Sequence, residues 1–181
     1  EQLKGLIAEI ASKEHEQGSV AQKIGDLYNL AMNTEKLNAD GMTPIQPELD
    51  KINAISDKAG IIQAMADLTG SAYFQFYVGA DIMDSKNNIF QLHQGGIGLG
   101  EKEYYLDTDE ATTNIREGYK AHIVKMFQLI GQDEKTATKN MEAVMEIETR
   151  LAKKSFSAVE QRNPAANYHM LTLDELKKQI A

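Results

Sequence analysis

The sequence predicts a mainly α fold: a multi-helix domain with antiparallel long helices and one small β-hairpin. Three observations carry that prediction. Apolar residues recur at spacings of three and four along most of the chain, as in Leu3, Leu6, Ile7 and Ile10, or Ile115, Tyr119, Ile123 and Met126. One stretch breaks this rhythm: Phe74, Phe76 and Val78 alternate with Gln75, Tyr77 and Gly79, the period of a strand with one apolar face. Directly after it, Gly95, Gly96, Gly98 and Gly100 put four glycines into six positions, a density that serves backbone turns.

In order along the chain, a first helix is expected from about Gln2 to Glu16, ending at Gly18. A second starts from a Ser19 cap, carries Val20, Ile24, Leu27, Tyr28 and Met32 on one face, and runs as far as Leu37 to Gly41. Thr43-Pro44-Ile45-Gln46-Pro47 reads as an extended connector, because each proline biases its predecessor away from helix. Pro47 suits the first turn of a helix bearing Leu49, Ile52 and Ile55. A short helix over Lys58 to Leu68 closes at Gly70. Strands Tyr73–Ala80 and Asn88–Gln94 pair as a hairpin, joined by the polar run Asp81 to Asn88, whose Asp and Asn side chains bond back to the backbone. Ile97 and Leu99 plug a core between the glycines.

Asp107 or Thr108 caps a long helix that ends at Gly131, and Asp133 or Thr136 starts the next, with Met141, Val144, Met145, Glu148 and Leu151 on one face. Their short connection, Gly131–Asp133, makes them antiparallel. Thr172 opens a last helix. The 181 residues read as a single helical domain, with the hairpin and glycine loop at about 73–106. The helical pattern is already running at residue 1 and still running at Ala181, so the chain reads as an excised piece of a longer protein.

Composition narrows the function. A net charge of −8 makes nucleic acid and anionic membranes poor partners. No apolar run is long enough for a membrane helix, and with no cysteine there is neither a disulfide nor a thiolate. The dinucleotide fingerprint fails because Glu101 stands where the third glycine belongs, and no Gly-Lys-Ser/Thr follows. The four histidines, His15, His93, His122 and His169, are scattered. His15-Glu16 begins H-E-x-x-H, but Ser19 stands in the fifth position. His122 reads as a helix residue without a ligand partner and His93 as an exposed strand residue. Asp107 and Asp109 read as helix-start residues at the positive end of the dipole. Ser71 lacks a nucleophile elbow, and Glu142 and Glu146 read as a solvated face. These residues supply neither a metal site nor a nucleophile.

The stretch D-S-K-N-N-I-F-Q-L-H-Q-G-G-I-G-L-G-E-K-E-Y-Y-L resembles a signature of the neprilysin family of zinc metallopeptidases, which includes endothelin-converting enzymes and bacterial oligopeptidases. Asp84, Lys86 and Asn87 match the first part of that signature; Gln94, Gly96, Gly98, Leu99, Tyr104 and Tyr105 match the second. Gly100 replaces the family's proline, Lys102 its arginine and Glu103 its aspartate. Glu148, Thr149, Leu151, Ala152 and Ser155 match a later helix, and Arg162, Pro164 and Tyr168 a connector, so the resemblance covers nearly the whole chain.

The resemblance implies a helical, non-catalytic portion of a zinc metalloendopeptidase that cleaves short peptides, forming part of the wall or lid of the substrate chamber. It implies zinc in the parent enzyme and none in this piece, no catalytic or metal-ligating residue here, and an inactive fragment. The partners it implies are the catalytic lobe of the same polypeptide and the parent's peptide substrates, and the location is exported, periplasmic or at the cell surface. The alternative is a free-standing helical interaction or ligand-binding module without catalysis.

Overall fold

The computed structural model describes residues 1–67 and 72–180. Among them run eleven helices and one two-stranded sheet, a mainly α architecture with a single small hairpin. Its contacts group the chain into two compact units, Glu1–Ile61 and Ile62–Ala181.

The first unit begins with α1 (Gln2–Ala11) and α2 (Val20–Met32), which pack on one another. Ser19 caps α2 as expected, its side chain accepting from the Gln22 N–H. The close approach is made at Gly25, where an added Cβ would lie 3.5 Å from the Ala11 Cα and the Ile10 carbonyl oxygen. The α1 helix stops five residues before the expected Glu16. Side chains help to satisfy its last carbonyls: Ile10 O receives His15 Nε2 at 2.8 Å besides the Lys13 N–H at 3.3 Å, and Ala11 O receives Asn29 Nδ2 at 3.1 Å.

The expected single helix from Ser19 to beyond Leu37 is two. Asn33, at ψ 75°, breaks it, and its side chain caps α3 (Thr34–Asp40) through the Lys36 N–H. The expected extended connector at Thr43–Pro47 is also corrected. Thr43 donates to Asp40 O, and Ile45 and Gln46 to Met42 O, so these residues coil into turns that lead straight into α4 (Gln46–Asn53) with Pro47 in its first turn. The next helix, α5, is Lys58–Asp67; Leu68, Gly70 and Ser71 lie outside the described residues.

The second unit holds the hairpin of β1 (Phe74–Ala80) and β2 (Asn88–Gln94), antiparallel with Phe76 opposite Leu92 and Val78 opposite Phe90. Its core joins α6 (Glu103–Leu106), α7 (Glu110–Leu129) and α8 (Glu134–Ala152). Tyr105, Ile123, Met145 and Ala152 are buried, and Ile97, Leu99, Tyr119, Phe127 and Val144 pack against them. Ile97 and Leu99 thus plug the core as their place between glycines suggests.

The cap of α7 is a correction: Asp109, not Asp107 or Thr108, accepts from the Thr112 N–H. Asp107 instead ends α6, in extended conformation, and its carbonyl receives the Arg116 guanidinium. Asp133 caps α8 as expected, after a three-residue connection in which Gly131 takes φ +91°. Beyond α8 lie the short α9 (Ala158–Gln161) and α10 (Pro164–Asn167), then α11 (Leu173–Ile180), where Thr172 and Glu175 exchange side-chain to backbone bonds as a capping box.

Candidate functional site

The family-motif residues separate into two places in the second unit. Asp84, Lys86 and Asn87 form the hairpin turn. The Asp84 carboxylate accepts from the Lys86 N–H at 3.3 Å and from Asn87 Nδ2 at 2.8 Å, while the Asn87 N–H donates to Asp84 O. This is the local Asp/Asn chemistry of a tight turn. Just before it, the buried Asp81 accepts from the Met83 N–H at 2.8 Å and from Tyr168 Oη at 2.9 Å, tying the turn to a residue 87 positions later. Burial and the adjacent Asp81 carboxylate push the Tyr168 phenol up from its ordinary range.

Gln94, Gly96, Gly98, Leu99 and Tyr105 come together at the other end of the hairpin. Here the glycine loop, the polar face of the strands (Gln75, His93), Glu148 and the exit of α8 at Ser155 surround a cavity of about 650 Å³. Gln94 closes one side with a two-way bond to the peptide of Phe156: its Nε2 donates to Phe156 O at 3.0 Å, and the Phe156 N–H donates to its Oε1 at 2.7 Å. Lys102 Nζ caps the same exit by donating to Ser155 O at 2.8 Å.

Each glycine has its own reason. Gly96 has φ +75°, and a Cβ there would meet the Ala72 carbonyl oxygen and, at 2.7 Å, the Tyr73 Cα. Gly100 has φ +83° and open space around it. Gly98 lies outside the left-handed region; its Cβ would strike the Tyr119 hydroxyl.

Under the loop, one carboxylate organises two phenols. Tyr105 Oη donates to Glu148 at 2.6 Å and accepts from the Leu99 N–H at 3.0 Å; Tyr119 Oη donates to the other Glu148 oxygen at 3.1 Å. Burial, then the Glu148 charge beside it, pushes Tyr119 up to about 12. Burial, then its bond to Glu148, raises Tyr105 further still. Both therefore stay protonated donors at neutral pH, and their bonds to Glu148 support the loop. Tyr104 contributes its carbonyl, which takes the Arg116 guanidinium at 2.8 Å.

Sequence reasoning placed Gln94, the glycines and Tyr105 in one motif but missed Tyr119, Lys102, Arg116, Asp81 and the Phe156 peptide as their partners. Glu148 was visible as an acid on the otherwise apolar face of α8; that misfit was the available signal.

Zinc needs several converging ligands. Among the described residues no three His, Cys, Asp or Glu come together. His15 is bound to a carbonyl of α1, His93 stacks on Tyr77 with ring centroids 5.2 Å apart, and His122 and His169 are exposed. These residues do not fit a zinc ion.

A helical chain with this turn, glycine loop and double tyrosine in this order falls in the class of neprilysin-type zinc metallopeptidase segments. The description peptidase family M13 matches across residues 1–181, and the chain belongs to that family. It is 26% identical to endothelin-converting enzyme 1 of Rattus norvegicus over 98% of its own length and 24% of the relative's, and 32% identical to the Homo sapiens enzyme of that name over 59% and 14%. In structure it resembles the zinc metalloprotease ZMP1 of Mycobacterium tuberculosis, in its open state, with TM-score 0.82 and 29% identity, covering 99% of this chain and 28% of that one. The chain thus spans about a quarter of the length of such relatives.

Proposed function

We propose that this chain is the helical, non-catalytic portion of a zinc metalloendopeptidase acting on short peptides, and that it forms part of the wall or lid of the substrate chamber. The observation that carries the reading is the match of nearly the whole chain, at TM-score 0.82, to about a quarter of a zinc metalloprotease. The lack of a converging ligand set among the described residues favours a zinc site elsewhere in the parent. The isolated chain is then inactive, its partners are the catalytic lobe of the same polypeptide and the parent's peptide substrates, and the parent is exported, as a periplasmic or cell-surface enzyme. The parent gene should encode H-E-x-x-H with a downstream E-x-x-x-D.

A wall acts by exclusion, so its effect depends on substrate size. Leu99 packs against the core beneath the glycine loop, and Leu99→Asp places a charge there. In the parent, with folding of the catalytic lobe verified, the comparison is kcat/KM for a long against a short peptide. A rise in the long-to-short ratio on substitution supports a gate. Equal loss on both substrates, or no change on either, refutes the chamber role.

A further inference from the structure

We infer that the apolar face of the β-hairpin is the docking surface for an amphipathic helix of the same polypeptide lying outside residues 1–181. The inference rests on the reading of this chain as one portion of a longer peptidase. Directly opposite residues of an antiparallel pair share a face, so the register puts Phe74, Phe76, Val78, Phe90 and Leu92 on one side. The Phe76 ring lies 6.2 Å from that of Phe74 and 5.9 Å from that of Phe90, a continuous aromatic patch. It is open: Phe76 is 38% exposed, Leu92 45%, Phe90 57% and Val78 70%.

The other face is finished. Tyr77 Oη donates to Gln91 Oε1 at 3.2 Å and lies 3.1 Å from His93 Nε2, on whose ring it stacks. Among the described residues, neither strand packs extensively along a helix of its own unit. An isolated two-stranded hairpin is marginal in water, and a sheet face is ordinarily closed by another layer.

The dimensions select the occupant. Three successive side-chain pairs span about 14 Å along the strands, the length of roughly nine helical residues. Five side chains give far less than the ~800 Å² per partner of a stable dimer interface, which argues against a second copy. Of the polar side chains that the register puts on this face, Gln94 is already bonded to the Phe156 peptide and Asn88 lies at the turn end beyond the apolar residues. Nothing polar within the patch therefore fixes a peptide's orientation, which argues against substrate. Most of the length of the relatives lies outside the region this chain covers, and a segment of the same polypeptide docks without the cost of bimolecular association.

The test uses the full-length parent. Val78→Cys introduces a thiol into a region that has none, and its maleimide labelling is read by mass spectrometry of the hairpin peptide. Native labelling about tenfold slower than in urea is expected, as for a site shielded by packed structure; native labelling as fast as in urea overturns the inference. Replacement of Phe90 by a photoreactive benzoylphenylalanine identifies the cover. The expected product is a cross-link, at monomer mass, to a peptide outside residues 1–181. A cross-link within residues 1–181, a dimer, or a cross-link abolished by added substrate overturns it. If either substitution disturbs folding, carbene footprinting of the unsubstituted parent reads the same face, and strong labelling of Phe76, Phe90 and Leu92 overturns it equally. An open face on an active, size-selective zinc peptidase would sink this inference alone. A covered face on a parent without peptidase activity would sink the functional reading alone.

Discussion

Gln94 and Phe156, 62 residues apart, are joined as two amides in a closed pair, each donating to the other's oxygen. The pair fixes the end of β2 to the exit of α8 and so holds the mouth of the glycine-loop cavity. Gln94→Ala removes both bonds and should cost about 1–2 kcal/mol in urea unfolding. Gln94→Glu is the sharper test. Its second oxygen would face the Phe156 carbonyl, so the variant should lose as much as Ala at neutral pH and recover as pH falls and the carboxyl regains a donor. A Glu variant whose deficit stays constant with pH would show that the clasp is not formed.

The two phenols on Glu148 should be energetically coupled. Tyr105→Phe removes a donor to Glu148 and the acceptor of the Leu99 N–H, at about 1–2 kcal/mol; Tyr119→Phe removes one longer bond and should cost less. Either single variant leaves the carboxylate one phenol. The double variant leaves it none, so its loss should exceed the sum of the singles by about 0.5 kcal/mol or more. Strict additivity would mean the two tyrosines act independently.

The parts of this architecture that were legible in the sequence are those decided locally. The alternation from Phe74 to Val78 and the Asp84–Asn87 turn define the hairpin within one residue of its observed start, because strand period and Asx chemistry need only near neighbours. Ser19 and Asp133 were legible as caps for the same reason. Two failures were local, the Asn33 break and the Thr43–Gln46 turns, where side-chain capping and i to i+3 bonds override the helical and proline patterns. The others were decided at longer range. The end of α1 depends on Asn29, on another helix, and α6 is a four-residue turn whose exit is held by Arg116. Asp107 and Asp109 are equally good cap residues, and only the capture of the Asp107 carbonyl separates them. In the candidate site the motif residues were visible, but the Tyr105–Glu148 bond spans 43 positions and no local pattern encodes it.

The glycines should rank by mechanism. Gly96→Ala combines a left-handed φ with collision against backbone atoms that cannot swing away, and should cost about 2 kcal/mol or more. Gly100→Ala pays only for φ, about 1 kcal/mol. Gly98→Ala should act through the ring it displaces, so Tyr119→Phe, which deletes the obstructing hydroxyl, should partly relieve it. An unchanged Gly98→Ala penalty in the Tyr119→Phe background would contradict the close approach seen here.

Stability should fall at both ends of the pH scale, for opposite reasons. Asp109 and Asp133 are held below the usual carboxylate range, Asp109 first by its contact with the Thr112 side chain and Asp133 first by the Thr136 N–H it accepts. Their folded pKa values lie below the unfolded one of about 3.9. Their stabilisation is therefore present above that value and lost as pH falls through the folded values. Asn still caps a helix but does not titrate, so Asp109→Asn with Asp133→Asn should flatten the acid limb while leaving stability near neutrality little changed. On the alkaline side Tyr119 is raised to about 12 and Tyr105 in the same direction. Their stabilisation is complete below the unfolded phenol value of about 10 and is lost as pH rises from there through the folded values. Phe at both positions should lower stability at neutral pH and flatten the alkaline limb. The measurement is the urea midpoint across pH for wild type and both double variants. An acid limb as steep in the Asn variant as in wild type would refute the capping account, and an alkaline limb as steep in the Phe variant would refute the account of the phenols under the loop.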